Sequence, residues 1–178
     1  MKTKSSLAGA QFIASEIIKT LSPLCHNIEV AGSVRRECPQ VGDIEIIALP
    51  RMIYSTDLFG ARYMTEASEL DAFDWSILGK FVKGGHKYKQ IDLYLGMTLD
   101  LFIVTPPAQY GVIKLIRTGP DSFSRKFVTH KFKGGLLPGH LEIKDGAIYK
   151  LGALLPTREE SDVFELLGIP YISPERRA

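Results

Sequence analysis

The chain has 178 residues, of which 45% are hydrophobic and 24% charged, and 22 Lys and Arg against 20 Asp and Glu give a net charge of +2. This is the composition of a soluble globular protein. No apolar run approaches the roughly 20 residues of a membrane helix, and two cysteines are too few for a disulfide framework or a zinc site. We therefore expect no membrane partner and a reducing, cytoplasmic setting, which is the host cytoplasm if the protein is viral.

Basic residues are concentrated in the second half of the chain. Residues 1–104 hold 11 basic and 12 acidic side chains, whereas residues 105–178 hold 11 basic and eight acidic ones. Within 114–133 one acid, Asp121, stands against six basic residues, namely Lys114, Arg117, Arg125, Lys126, Lys131 and Lys133. Charge alone leaves two interpretations open for this segment, the solvated faces of two helices or a surface that binds phosphates.

Hydrophobic spacing and turn residues predict the elements of the first half. In chain order they are a helix at 6–21, a short strand at 28–30, a strand at 44–49, a helix at 68–81 and a hairpin formed by 87–95 and 98–104. Residues 51–67 show no clear pattern and receive no element.

The pattern changes after Pro106-Pro107, where two basic helices are predicted at 108–118 and 121–132. We expect three aromatic residues of this segment to lie in a core, namely Phe123, Phe127 and Phe132. The change at the two prolines divides the chain into one domain at 1–105 and a second at 106–178.

Two further elements complete the second half. Asp145-Gly146 is the strongest short turn signal of the chain and predicts a hairpin of 141–144 and 147–151. A final helix is predicted at 157–167, opened by a capping pair of Thr157 and Glu160.

Two acids at the start of the strand predicted at 44–49 indicate a functional site. Asp43 and Glu45 stand two residues apart and therefore project from the same face of the strand. At ~4 Å such charges repel by about 4 kcal/mol at an effective dielectric near 20, so they either separate into solvent or share a cation. Hard carboxylate oxygens select Mg²⁺ or Mn²⁺. A third carboxylate could come from Asp92 or Asp100, because the hairpin register that decides between them is not specified by the sequence.

A small-residue turn precedes these acids. The free backbone N–H groups of Gly32-Ser33 are suited to bind a phosphate, Ser33 adds a hydroxyl and Arg36 adds a forked donor. An Asp-x-Glu strand taken alone is usually a solvated edge. The joint spacing of the turn, the paired arginines and the later acid favours a functional site.

Motifs in both halves carry a family resemblance. The first half contains Gly32-Ser33, Arg35-Arg36, Gly42-Asp43-Ile44-Glu45 and Leu99-Asp100-Leu101-Phe102-Ile103. The second half contains Gln109-Tyr110-Gly111-Val112, the run from Arg117-Thr118-Gly119 to Phe123, and the ending at 162–176. With these motifs the chain resembles the DNA polymerase beta-like nucleotidyltransferases and, more narrowly, the family X DNA polymerases.

The resemblance implies an α+β fold in which a nucleotidyltransferase palm, a mixed sheet with helices on one face, precedes a small α/β thumb-like domain. It favours Asp100 over Asp92. It implies that Asp43, Glu45 and Asp100 are catalytic and ligate two Mg²⁺ ions, for which Mn²⁺ can substitute. Glu45 departs from the Asp usual in the family, and its longer arm shifts its reach towards a metal.

The resemblance also implies binding residues. Those expected to hold the incoming nucleotide are Gly32, Ser33, Arg36, Gly42, Thr118, Gly119 and Asp121. Those expected to contact DNA phosphates are Lys87, Lys89, Arg125, Lys126, Lys131 and Lys133.

The implied function is that of a DNA-directed DNA polymerase, which adds dNTPs to a primer 3′-hydroxyl by two-metal nucleotidyl transfer in short-gap or repair synthesis. We expect a minimal palm-plus-thumb monomer whose partners are primer–template or gapped DNA, a dNTP, and a recruiting repair or replication protein. Two alternatives stay open at this point. One is a template-independent nucleotidyltransferase with another acceptor, and the other is a non-catalytic nucleic-acid-binding module.

Overall fold

The computed structural model describes residues 4–177. Its elements in chain order are β1 (Ser5–Ser6), α1 (Leu7–Leu21), β2 (Cys25–Val30), α2 (Gly32–Arg35), β3 (Gln40–Val41), β4 (Ile44–Pro50), β5 (Met52–Thr56), β6 (Arg62–Ser68), β7 (Gly79–Gly85), β8 (Tyr88–Leu93), β9 (Thr98–Ile103), α3 (Tyr110–Thr118), α4 (Asp121–Val128), β10 (Leu141–Lys144), β11 (Ala147–Lys150), β12 (Ala153–Leu155) and α5 (Glu160–Leu167). Within this range no helix is long and apolar enough to cross a membrane.

A five-stranded mixed sheet forms the first half of the molecule. Its order is β2-β4-β9-β8-β7, with β4 and β9 parallel and the other neighbouring pairs antiparallel. Alternate residues of β4 face opposite sides, so Ile44 and Ile46 enter the main core while Ile47 joins a second cluster on the other face. The predicted α+β class and mixed sheet are confirmed.

Helix α1 covers one face of this sheet. The Ser6 hydroxyl accepts a hydrogen bond from the Gly9 N–H at 3.2 Å, and this cap explains why the helix begins where the sequence predicts. Ala10 and Ala14 are fully buried and Ile17 nearly so. Burial of this stripe against the sheet, more than intrinsic helix propensity, stabilises α1.

The prediction of a helix at 68–81 is wrong. The segment forms two 3₁₀ turns, Glu69–Ala72 and Trp75–Ile77, before β7 begins at Gly79. The Asp71 carboxylate accepts from the Ser68 N–H at 2.9 Å, and the Asp74 carboxylate accepts from the Ser76 N–H at 3.0 Å. These short acidic side chains satisfy backbone donors locally and compete with a continuous helix. The unassigned stretch at 51–67 forms the antiparallel β5–β6 hairpin.

Three helices and a small sheet build the second half. Strands β10, β11 and β12 form an antiparallel sheet, and Asp145-Gly146 turns its first hairpin with φ of 50° and 75°, as predicted. Phe123 and Phe127 are buried with Phe164 in a core of its own. Phe132 is 74% exposed, so its predicted place in the core is wrong.

Helix α5 begins later than predicted. It starts at Glu160, and the reciprocal cap is formed by Glu159 and Asp162, not by Thr157 and Glu160. The Glu159 N–H donates to the Asp162 carboxylate at 2.9 Å. Glu160 is freed from capping because it points into the interior, where arginine side chains bind it.

Helix α3 joins the two halves on the sheet face opposite α1. A small apolar cluster at this junction consists of Ala31, Ile47, Val104 and Tyr110. Beside it the buried Lys114 ammonium lies 2.7 Å from the Glu29 carboxylate, which also accepts from the Tyr110 hydroxyl at 3.2 Å. An apolar strip and an ion pair therefore hold the halves together.

Glu160 forms a second polar junction. Its carboxylate lies 2.6 Å from Arg177 Nη1 and 2.8 Å from Arg35 Nη2, and the Tyr171 hydroxyl donates to it at 3.2 Å. Burial alone would raise the pKa of Glu160, but the hydrogen bonds from Arg177 and Arg35 outweigh burial and hold that pKa below its usual value. A group whose folded pKa is depressed stabilises the fold above its unfolded pKa, and this contribution is lost as the pH falls through the folded pKa.

We predict that Glu160→Gln lowers the free energy of unfolding by about 3 kcal/mol at pH 7, because it leaves the buried Arg177 guanidinium without its countercharge. The difference in free energy of unfolding between Glu160→Gln and the unchanged protein should shrink as the pH falls through the folded pKa of Glu160. Below that pKa the glutamic acid is protonated and is as neutral as the glutamine that replaces it. Urea unfolding at several pH values measures both effects. Glu165→Gln, an exposed acid of the same helix, is the matched control, and equal stability of Glu160→Gln and this control at pH 7 would contradict the prediction.

Candidate active site

The parallel pairing of β4 and β9 brings two of the predicted acids together. Glu45 and Asp100 are directly opposite in the register of these strands, which neighbour each other at about 4.8 Å. Asp43 precedes Glu45 by two residues and its charge acts on the Glu45 carboxyl. Glu45 and Asp100 therefore share one face of the sheet, and Asp43, directly before β4, lies close enough for its charge to act on Glu45.

The pKa of Glu45 is shifted by its surroundings. Burial, followed by the charges of Asp43 and Asp100, raises its pKa to about 7, while Arg36 and Arg117 act in the opposite direction. Concentrated negative charge in a partly buried site is typical of functional carboxylates.

Gly32 makes room for the Glu45 side chain. It has a φ of +56°, and a Cβ atom at this position would lie 1.5 Å from Glu45 Oε2. A residue with a side chain would be strained at this φ and would also displace the carboxylate. The glycine of the predicted phosphate turn therefore also fixes where Glu45 lies.

The register also separates Asp100 from Asp92. Gln90 pairs with Asp100 and Asp92 pairs with Thr98, so both acids share a face but Asp92 lies on the next strand away from Glu45. Asp92 is exposed and accepts from the Thr98 hydroxyl at 3.2 Å. The strand register thus favours Asp100 over Asp92 as the third carboxylate, an alternative that the sequence left open.

Two side chains of β8 hold Asp100. The Gln90 amide donates to Asp100 Oδ1 at 2.8 Å, and the Tyr88 hydroxyl donates to the same oxygen. Burial and the Asp100 hydrogen bond raise the pKa of Tyr88, so its hydroxyl stays protonated and remains a donor. The sequence analysis missed both residues, since only the register shows that they flank Asp100.

Within residues 4–177 the structure gathers no three His, Cys, Asp or Glu side chains closely enough to hold a metal ion. The chemistry of Asp43, Glu45 and Asp100 nevertheless fits a divalent cation. All three donors are hard oxygens, and the charges of the other two acids, together with burial, disfavour the ionised form of Glu45. A cation is the group that would offset this repulsion.

The predicted phosphate turn lies next to these acids. Ser33 Oγ is buried and has no hydrogen-bond partner among the described residues. The space where a Cβ of Gly42 would project is open, with no heavy atom within 4 Å. The turn therefore retains an unsatisfied hydroxyl and free space beside the acids.

The paired arginines connect the two halves of the chain. Arg36 donates to the Thr118 carbonyl and Arg35 donates to the Thr118 hydroxyl. The Thr118 side chain was predicted to hold the nucleotide, but it is fully buried and does not line an open pocket. Its contacts instead join the two halves. Gly119 lies beside Arg36, at 3.0 Å from Nη1 to the position of a Cβ.

Arg117 is a third residue that the sequence does not mark as part of the site. Its guanidinium lies 4.0 Å from the ring centroid of Phe102, which shares the Asp100 face of β9. Arg117 is exposed and its charge lowers the pKa of Glu45. The only signal in the sequence was its place directly before Thr118-Gly119.

The residues predicted to bind DNA divide into exposed and buried ones. Arg125 is exposed, and its guanidinium lies 2.8 Å from the carboxylate of Asp121, an exposed residue that was predicted to hold the nucleotide and not DNA. Lys87 is exposed and lines a cavity of about 770 Å³ between the β5–β6 hairpin and the linker at 105–107. The remaining exposed members are Lys126, Lys131 and Lys133.

Lys89 corrects the prediction, because it is only 7% exposed. Alternation along β8 turns it away from Asp100, towards the main core, where its ammonium lies 3.3 Å from Asp71 and 5.5 Å from the ring centroid of Trp75. Its role in the structure is to anchor the 3₁₀ segment, and it presents no charge to a DNA backbone.

Parts of the chain are similar to known DNA polymerases. Residues 115–178 match the family model described as DNA polymerase beta thumb. The chain is also 32% identical over 100 residues to DNA polymerase lambda of Rattus norvegicus. The chain is therefore similar, over part of its length, to the family X DNA polymerases. The aligned stretch covers 52% of this chain and 16% of the rat polymerase, so the chain spans a small part of that relative's length.

We predict that Lys89→Ala lowers the free energy of unfolding by about 2 kcal/mol, because it removes the buried ammonium that lies close to the Asp71 carboxylate and to the Trp75 ring. Lys87→Ala, two residues away and exposed, should change it by no more than about 0.5 kcal/mol. Urea unfolding followed by the fluorescence of Trp75, the only tryptophan, measures both. Equal effects of the two variants would refute the structural role of Lys89.

Proposed function

We propose that this chain is a nucleotidyltransferase of the family X type, a DNA polymerase that adds dNTPs to a primer 3′-hydroxyl. The observation that carries the proposal is the direct pairing of Glu45 with Asp100 on parallel strands, with the charge of Asp43 acting on Glu45 from the residue before β4. Three carboxylates so placed, next to a phosphate-binding type of turn, suit transfer of a nucleotidyl group.

The cation expected at this site is Mg²⁺ or Mn²⁺, held by Asp43, Glu45 and Asp100. When bound, such ions supply the positive charge that activates a hydroxyl and stabilises departing pyrophosphate. The Tyr88 hydroxyl and the Gln90 amide keep Asp100 in orientation by holding one of its oxygens.

The chain's own donors would position the triphosphate. Ser33 offers an unpaired hydroxyl, the space beside Gly42 is open to an approaching phosphate, and Arg36 and Arg117 supply positive charge near Glu45. The buried Gly32 contributes by making room for the Glu45 carboxylate. Gly119 and Asp121 lie at the start of α4 and remain the residues proposed to line the base and sugar. Positioning and charge compensation of this kind carry most of the barrier reduction in phosphoryl-type transfer.

The second half would bind the DNA. Its thumb-type segment carries exposed basic residues, and we propose that Arg125, Lys126, Lys131 and Lys133, with Lys87 from the first half, contact template or primer phosphates. In this proposal the division near residue 105 separates a catalytic domain at 1–105 from a DNA-binding domain at 106–178. Short-gap or repair synthesis and a recruiting protein partner remain parts of the same proposal.

We predict that Asp43→Asn and Asp100→Asn each lower the rate of primer extension by at least about 100-fold, since each removes a charge from the reaction centre. The matched control is Asp92→Asn, which changes an exposed acid on the same sheet face and should extend primers like the unchanged protein. The assay uses a gapped duplex, Mg²⁺ and each dNTP singly. If the incorporated dNTP matches the template base, the enzyme is DNA-directed. If any dNTP is added regardless of the template base, the protein is a template-independent transferase and the proposal is wrong.

Full activity of Asp43→Asn or Asp100→Asn would refute the assignment of the reaction centre. If Asp92→Asn loses as much primer-extension activity as Asp43→Asn and Asp100→Asn, the acids act through the stability of the fold. Urea unfolding of all three variants tests this directly.

We predict that Lys126→Ala weakens binding to a duplex and reduces the slope of log K against log[salt] by about 0.9, the contribution of one phosphate contact. Lys144→Ala, an exposed lysine of β10, should leave the slope unchanged. Fluorescence anisotropy across a salt series measures the slope. A binding constant that does not respond to salt would contradict the proposed phosphate-binding surface.

A further inference from the structure

The turn that follows α4 exposes a large aromatic ring among lysines. Phe132 lies in the 3₁₀ turn Lys131–Lys133 and is 74% exposed, although the other two phenylalanines of this segment are buried. Exposure of a phenylalanine ring forgoes the free energy of burying it, which is about 1.5–3 kcal/mol for a large apolar side chain. A ring kept in solvent within a basic segment indicates a contact surface.

The Phe132 ring is held in one orientation. His130 stacks on it with ring centroids 5.1 Å apart and an interplanar angle of 15°. The backbone N–H groups of Lys133 and Gly135 donate to the His130 carbonyl at 2.8 and 3.1 Å, which closes the turn. A Cβ at Gly135 would lie 1.9 Å from the Thr129 oxygen, so the tight closure requires glycine. The ring is therefore ordered before any ligand binds, which lowers the entropy cost of binding.

The charges around the ring are not neutralised within the chain. Lys126, Lys131 and Lys133 are exposed, and none of them pairs with a carboxylate among the described residues. The Lys133 ammonium lies 5.7 Å from the Phe132 ring centroid. An aromatic face flanked by free lysines is the combination that binds single-stranded nucleic acid, by stacking on a base and pairing with its phosphates.

We propose that Phe132, stacked on His130 and flanked by Lys131 and Lys133, is a platform for one unpaired base of a single-stranded DNA segment beside the bound duplex. Bases inside a duplex are already stacked on their neighbours, so an unpaired base is the one that offers a free face to the ring. This inference rests on the proposed DNA-binding function and adds that the protein also binds single-stranded DNA next to the duplex.

The test compares two DNA ligands in a fluorescence anisotropy titration, a primer–template with a single-stranded 5′ overhang and the blunt duplex of the same sequence. Phe132→Ala should weaken binding of the overhang ligand about 10-fold, the loss of one base–aromatic stack, and leave the blunt duplex unchanged. Phe132→Trp should restore the affinity, because the larger ring still stacks. Phe59→Ala, which removes a phenylalanine that is 95% exposed at the tip of the β5–β6 hairpin, is the matched control and should change neither affinity.

A spectroscopic signal provides a second readout. In Phe132→Trp the added indole should be quenched by the overhang ligand and not by the blunt duplex, relative to the signal of Trp75 in the unchanged protein. Urea unfolding of each variant verifies that the folded state is retained, as expected for an exposed side chain.

Equal weakening of both ligands by Phe132→Ala, or no weakening of either, would overturn the platform. Its failure is separable from failure of the proposed enzyme, since primer extension by the unchanged protein is scored in a different assay. Overhang binding that depends on Phe132 in a protein that extends no primer would retain the platform and refute the polymerase.

Discussion

The negative charge around Glu45 is the constraint on which the rest of the site depends. Burial and the neighbouring acids Asp43 and Asp100 disfavour its ionised form, and the surrounding structure compensates from two directions. Arg36 lies at the end of the first short helix, whereas Arg117 reaches the same region from α3 in the second half. Because one of the balancing charges comes from each half, the junction between the halves is part of the site.

The junction itself is built from charged groups in fixed geometry. Arg35 and Arg36 both bind Thr118, and Arg35 continues to the buried Glu160, which Arg177 also binds. Buried pairs of this kind add little net stability compared with apolar packing, but they are costly to break, so they favour one relative orientation. Residues that resemble phosphate ligands in the sequence thereby also determine how the basic second half is placed against the acids.

The acids proposed for catalysis and the residues proposed to contact nucleic acid lie on different elements of the fold. The acids lie on the sheet, where strand register sets their spacing, while the exposed lysines and Phe132 lie on and after α4. The register is rigid because one slip would reverse every side chain of β4 and empty the core. The turn at 131–133 carries no such core requirement, so its side chains are free to face a ligand.

Local signals were sufficient for much of this structure: alternation in β4, the helical spacing of α1, the Asp145-Gly146 turn, and the joint motif that marks Asp43 and Glu45. They failed where distant contacts decide. The periodic run at 68–81 is interrupted by its own acidic caps. Lys89 is buried because its strand face meets Trp75, and Asp100 rather than Asp92 lies beside Glu45 because β9 pairs with β4. The sequence by itself determined which residue types and local turns are present. Only the tertiary structure decided which side chains share a face and which charges are buried, because strand register and domain packing join residues far apart in the chain.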